Sequence, residues 1–142
     1  MQLELSKEDW VLLALRQAPL DRLRLMKTLF LIWIDSGRNI QNYFEFRPYL
    51  YGPCSFELYG LLEEMEDSRL IIQPPRPTWE WGKYYLTKTG VFRCNQATER
   101  AGDSRLGTVK SIVGFTAAAG FRELLDKVYA VAPEFAVKSV IR

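Results

Sequence analysis

The stretch from residue 49 to residue 72 constrains the fold most, because it predicts a turn, a helix and a strand in direct succession. Gly52 and Pro53 end an extended run, and the Ser55 hydroxyl can cap a helix by accepting a hydrogen bond from a free backbone N–H group. Apolar residues then recur at the spacing of one helical face, at Leu58, Leu61, Leu62 and Met65. The other side of this helix, over residues 55–67, is acidic and carries Glu57, Gly60, Glu64 and Asp67, with Glu63 and Glu66 on its flank.

A β-hairpin, or wing, is predicted directly after this helix. Residues 70–73 form its first strand, the proline-rich segment 74–78 a stiff turn, and residues 79–86 its second strand. Alternation directs Tyr84 and Leu86 inward and places four residues on the other face, namely Trp79, Trp81, Lys83 and Tyr85. That face is a large exposed patch unless the C-terminal helices cover it, and the sequence leaves both arrangements open.

The flanking segments predict further helices and one more strand. A helix begins after Ser6, with Asp9 completing a capping box, and a core helix runs from about residue 21 to residue 36, ended by Gly37. The aromatic run 43–51 predicts a short strand that Pro48 confines to a sheet edge. Thr87 caps another helix, and the polar residues 95–107 include a linker. Helical segments are predicted around 106–113 and 121–132, and the tail 134–141 is predicted to dock on the core.

This order of elements predicts a mainly α fold with a small β-hairpin, namely a winged helix-turn-helix with extra C-terminal helices. A length of 142 residues fits one domain, spanning residues 1–142. Its winged-helix core covers about residues 6–93 and a C-terminal helical extension covers about residues 105–142.

Composition narrows the chemistry. The chain has two cysteines and no histidine, which excludes the common zinc sites and the histidine-dependent catalytic designs. The longest apolar run, residues 29–34, is too short to cross a membrane, and the N-terminus lacks the pattern of a signal peptide. We therefore expect a cytoplasmic protein without membrane association, metal or cofactor.

Charge is unevenly distributed along the chain. The net charge is +2, yet residues 54–67 carry five acids and no bases, whereas residues 68–110 carry eight bases and three acids. An acidic helix followed by a basic hairpin region favours specific docking over general polyanion binding.

Four segments resemble the Panacea antitoxin domain and related winged-helix proteins. They are LMKTLFL at 25–31, FRPYLYGPCSFELY at 46–59, YYLTKTG at 84–90 and LLDKVYAVAPEF at 124–135, and the likeness extends over about residues 20–142. Its most distinctive part is the block Tyr51-Gly-Pro-Cys-Ser55. The resemblance implies binding to a protein partner, such as a toxin or a phage-defence subunit, with DNA binding for autoregulation as a further implication. It supplies no catalytic residues.

Two binding hypotheses follow, and no enzymatic one. A protein partner would meet the acidic helix face at Glu57, Glu64 and Asp67 and the aromatic strand face at Trp79, Trp81 and Tyr85. Double-stranded DNA would instead meet Arg47, Ser55, Arg76 and Lys83, although the acids along the helix oppose a polyanion. A homodimer also remains open. Helix-surface carboxylates and Cys54 without a histidine partner do not form a catalytic site, so we expect no enzyme.

Overall fold

The computed structural model describes residues 3–77 and 82–140, which form a mainly helical fold with a small antiparallel sheet, as the sequence predicts. The helices of this part of the chain are α1 (Lys7–Gln17), α2 (Arg22–Asp35), α3 (Phe56–Asp67), α4 (Lys88–Ala118) and α5 (Phe121–Val131), followed by a 3₁₀ turn over Pro133–Ala136. The strands are β1 (Leu20–Asp21), β2 (Arg47–Tyr49), β3 (Gly52–Cys54), β4 (Ile71–Ile72) and β5 (Lys83–Leu86).

Helix α1 begins where its capping residues predict, and α2 begins close to the predicted residue 21. The Ser6 hydroxyl accepts from the N–H of Asp9 at 3.1 Å, and the Asp9 carboxylate accepts from the N–H of Ser6 at 2.9 Å, so the capping box is confirmed. Asp21 caps α2 by accepting from the N–H of Arg24 at 2.8 Å. Gly37 follows the end of α2 with a φ of 73°, a conformation that favours glycine.

Helix α2 lies at the centre of the fold. It contacts α1, α4, α5 and β3, and its buried residues fall into two adjoining apolar clusters. In the second cluster, the Phe30 ring packs at 4.8 Å from Phe135 and 5.2 Å from Phe46, measured between ring centroids. The apolar second half of α2 is therefore core, as predicted.

Strand β5 is the central strand of a three-stranded sheet. It pairs with β4, where Ile72 lies opposite Tyr85, and this confirms a hairpin after α3. On its other side it pairs with β1, where Leu20 lies opposite Tyr84. The sequence did not predict β1, because two residues are too few to show alternation. The order β1-β5-β4 ties the segment between α1 and α2 to the hairpin after α3.

A second hairpin, β2–β3, leads into α3. Of the predicted strand 43–51, only Arg47–Tyr49 forms a β-strand, and it pairs antiparallel with Gly52–Cys54. Gly52 has a φ of 91°, and a Cβ atom there would lie 3.4 Å from the Tyr129 ring, so the hairpin packs closely on α5. Because β3 runs directly into Ser55, this packing positions the start of α3.

The expected linker within residues 95–107 is wrong. Residues 88–118 form α4, which is interrupted at Gly102 (φ 81°). The buried face of its first half consists of Cys94, Ala97 and Ala101, and it packs on α1. The polar residues of this stretch lie outside, and its small buried residues gave a weak apolar signal in the sequence.

The C-terminal segment docks in part. Helix α5 ends before Pro133 as predicted, and Phe135 is buried. The N–H of Val140 donates to the carbonyl of Leu50 at 3.0 Å, which fixes the tail against the β2–β3 hairpin. Val137 and Val140 nevertheless remain exposed, contrary to the expectation for those two side chains, and residue 141 lies outside the described residues.

Candidate partner-binding surfaces

Helix α3 presents one continuous exposed stripe. Leu58, Leu62 and Met65 are buried beneath it. At 100° per residue, the exposed residues Phe56, Gly60, Glu63 and Asp67 lie within about 60° of one another, and Glu64 lies beside them. We call these five residues the α3 face.

The C-terminal half of the α3 face is acidic and unpaired. Glu63, Glu64 and Asp67 are exposed, and none of them forms an ion pair with a residue in the described ranges. They lie near the negative end of the helix dipole, where cations are favoured. Glu64 and Asp67 are thus exposed, as a partner-binding role requires.

Glu57 is already engaged within the chain. Its carboxylate accepts from Lys7 Nζ at 2.7 Å and from the N–H of Glu45 at 3.1 Å. Burial alone would raise the pKa of Glu57, but the hydrogen bonds from Lys7 and Glu45 hold it below its ordinary value. Glu57 therefore ties α3 to the start of α1 and offers a partner less free charge than Glu64 and Asp67 do.

The predicted side-chain cap at Ser55 is wrong. Ser55 is the residue before α3, but its hydroxyl makes no capping hydrogen bond and lies 3.4 Å from the Glu57 carboxylate. The residue is 2% exposed, and its N–H donates to the sulfur of Met26 at 3.3 Å. Packing against α2 therefore determines its conformation, and its side chain is hidden from the surface where a phosphate would bind.

A polar cluster lies beneath the start of α3. The ammonium group of Lys27 is buried and donates to the carbonyl of Pro53 at 3.0 Å. Burial lowers the pKa of Lys27 to about 8, and the adjacent Cys54 offsets part of that effect. The Cys54 sulfur lies 3.6 Å from the Tyr59 hydroxyl. Burial is the main cause, and the contact with Cys54 the second cause, that raises the pKa of Tyr59 to about 12. Cys54 is buried, in keeping with a packing role.

An aromatic and cationic group surrounds the N-terminal end of the α3 face. The Phe56 ring lies between Tyr49, at 5.2 Å, and Tyr59, at 6.0 Å between centroids. The Arg22 guanidinium lies 4.6 Å from the centroid of the Tyr59 ring. Arg47 is exposed, shares a small pocket with Phe56 and Glu57, and forms no ion pair with the part of the chain that the structure describes.

Of this group, only Arg47 was predicted from the sequence to have a binding role. Phe56 and Tyr59 have the i, i+3 spacing that predicts neighbours on a helix. Arg22 and Tyr49 come from other elements, however, and only the folded chain places them beside the helix.

The β4–β5 hairpin exposes its outer face. Lys83 and Tyr85 point outward while Tyr84 is buried, as alternation predicts. Ile72 lies opposite Tyr85, and these two side chains are 52% and 41% exposed, so the C-terminal helices do not cover this part of the face. Trp79 and Trp81, predicted for the same face, lie outside the described residues.

The residues predicted to bind nucleic acid fall into two groups. Arg47 and Ser55 are close to the start of α3, whereas Arg76 follows β4 and Lys83 begins β5. Arg76 is exposed, and a Cβ atom built on Gly82 would come within 2.5 Å of its Nε atom, so its side chain lies against the residue that precedes β5.

No protein-family model and no curated protein matches this chain. Within residues 3–77 and 82–140, no group of three or more histidine, cysteine or carboxylate side chains could hold a metal ion. Over the same residues, no helix is both long enough and apolar enough to cross a membrane.

Proposed function

We propose that this chain is a non-catalytic winged-helix binding protein, antitoxin-like or regulatory, that acts by docking on a protein partner. The element order supports a winged helix: β1 lies between α1 and α2, the β4–β5 hairpin follows α3, and the sheet order is β1-β5-β4. In this assignment α3 is the recognition-position helix and the β4–β5 hairpin is the wing.

The outer face of the wing carries the proposal of a protein partner. Ile72 and Tyr85 are directly opposite each other and about half exposed, with Lys83 two residues before Tyr85 on the same face. Apolar side chains exposed side by side on a short sheet are typical of interaction sites, and tyrosine is enriched among the residues that dominate binding. Alternation in the sequence predicts Trp79 and Trp81 for the same face.

The acids of α3 determine which charged groups this region attracts. Glu63, Glu64 and Asp67 project from the helix without ion-pair partners among the described residues, so they attract cationic groups and repel nucleic acid phosphates. The resemblance to Panacea antitoxin domains agrees with a toxin or a defence-system subunit as the partner.

Co-expression with the product of the neighbouring open reading frame tests this function. We expect a complex that survives gel filtration and is lost when Ile72→Ser and Tyr85→Ser are combined. Phe92→Ser is the matched control, because Phe92 is 65% exposed and lies on α4 rather than on either strand of the hairpin. A complex equally stable in all three proteins, or no complex with the wild-type chain, would contradict the proposal.

Duplex DNA is the second candidate, favoured by one observation: Arg47 is exposed beside the start of α3 and lacks an ion-pair partner in the described residues. Arg47 and the exposed Lys83 at the start of β5 would be the two cations that contact phosphates. This candidate predicts salt-sensitive binding to duplex DNA that Arg47→Ala combined with Lys83→Ala abolishes. Absence of binding at low salt would eliminate it.

A further inference from the structure

The α3 face changes character halfway along the helix. Its N-terminal half carries Phe56, which is 55% exposed, and is flanked by Arg22 over Tyr59 on one side and by Arg47 on the other. Its C-terminal half carries the unpaired acids Glu63, Glu64 and Asp67. A surface that is apolar and cationic at one end and anionic at the other is complementary to its own reversed copy.

We infer that the α3 face is covered by the α3 face of a second copy of this chain, with the two helices antiparallel about a two-fold axis near the middle of α3. The inference rests on the proposed role of α3 as an interaction surface, and it names the occupant of that surface. The outer face of the wing then remains free for the protein partner.

The two-fold axis sets the register. An axis midway between Phe56 and Asp67 places each Phe56 opposite Asp67 of the second copy. It also places each Gly60 opposite Glu63 of that copy. The two helix dipoles are then antiparallel, which is favourable.

The charges pair on both flanks of this arrangement. The two-fold axis is perpendicular to both helices and passes between them. A residue on one flank of α3 therefore lies next to the same flank of α3 in the second copy. Arg22, which flanks the helix at the level of Tyr59, therefore faces Glu63 of the second copy. Arg47, which flanks the helix on the side of Glu57, faces Glu64 and Asp67 of the second copy. Every unpaired acid of the α3 face thus meets an arginine.

Gly60 provides the space for close contact. It is exposed in the middle of α3, and a Cβ atom at this position would have nothing within 4 Å. Glycine in a helix interior costs about 1 kcal/mol relative to alanine, and it allows another chain to approach the backbone closely. At the crossing point of two antiparallel helices, that approach lets the facing Glu63 side chain lie flat against the helix.

A second copy fits this face better than a basic partner does. A basic partner would account for the acids but not for the two arginines at the other end of the face. Helix α3 is 12 residues long, about 18 Å, so the interface is at the small end of specific interfaces. We therefore expect a dimer in the micromolar range rather than an obligate one.

Disulfide crosslinking of the full-length protein tests the register. In a Gly60→Cys variant, the two introduced residues are about 4.5 Å apart along the helix axis. In close helix contact their Cα atoms then fall within the roughly 4.4–6.8 Å that a disulfide spans. The natural cysteines, Cys54 and Cys94, are buried and do not compete. The matched control is Gly114→Cys, because Gly114 is likewise an exposed helical glycine with nothing within 4 Å of its Cβ position.

We expect a disulfide-linked dimer of Gly60→Cys on non-reducing gels under mild oxidation at about 100 μM protein, well above a micromolar Kd. We expect little or no disulfide-linked dimer for Gly114→Cys. Equal crosslinking of the two variants, or none for either, would overturn the α3 dimer. If crosslinking fails while Ile72→Ser with Tyr85→Ser still abolishes the complex with the partner, the dimer is wrong and the proposed function stands.

Discussion

Lys27 offers a quantitative test of the structure beneath the start of α3. Its ammonium group is buried and held by the carbonyl of Pro53 at 3.0 Å. Burial lowers its pKa from 10.5 to about 8, so the unfolded chain binds the proton more tightly than the folded one. The contribution of Lys27 to the free energy of unfolding therefore becomes more favourable to the folded state as pH increases from about 8 towards 10.5.

The two pKa values give the size of the effect. Carrying the charged lysine costs the folded state about 3 kcal/mol at pH 7 and about 2 kcal/mol at pH 9, a decrease of about 1 kcal/mol. Lys27→Met keeps most of the apolar stem and removes the charge. It also leaves the carbonyl of Pro53 without its donor, at a cost of about 1–3 kcal/mol that does not depend on pH.

Urea denaturation of both proteins at pH 7, 8 and 9 measures this difference. We expect the stability of Lys27→Met relative to the wild type to fall by about 1 kcal/mol from pH 7 to pH 9. Other groups that titrate here, such as Cys94, are present in both proteins and largely cancel. A difference that stays constant with pH would refute the buried, charged Lys27.

Four further substitutions test local features. In urea denaturation, Ser55→Ala should change stability by less than about 0.5 kcal/mol because Ser55 is not a side-chain cap, whereas Ser6→Ala should cost about 1 kcal/mol. Gly90→Ala should destabilise by more than about 2 kcal/mol in the same assay, because its Cβ would lie 2.0 Å from the carbonyl oxygen of Leu70. Trp81→Ala should weaken the partner complex in gel filtration without changing the thermal midpoint, and an unchanged complex would exclude that residue from the site.

Local signals in the sequence predicted most helix boundaries. The capping pairs at Ser6 and Thr87 and the glycine at residue 37 act through short-range hydrogen bonds and backbone conformation, so they keep their meaning in the folded chain. The two errors had tertiary causes. Ser55 is buried, with its N–H donating to the sulfur of Met26, so its hydroxyl does not cap the helix. The polar stretch within 95–107 is helical because Ala97 and Ala101 pack against α1.

The candidate surfaces were predicted less completely than the fold. The acid stripe of α3 and the outward face of Lys83 and Tyr85 follow from periodicity alone. The cationic, aromatic end of the α3 face does not, because Arg22 belongs to α2 and Tyr49 to β2. The acid stripe and the cationic end therefore form one polarised face only in the folded structure.

Charge reversal across the two-fold axis tests whether α3 is an interaction face. Sedimentation velocity over a concentration series should show that Arg22→Glu and Glu63→Arg each weaken self-association by about tenfold or more, with unchanged thermal midpoints. The double variant restores the pair between copies and should recover most of the wild-type dimer. A wild-type chain that stays monomeric at about 100 μM, or a double variant as weak as the sum of the two single changes, would contradict the account.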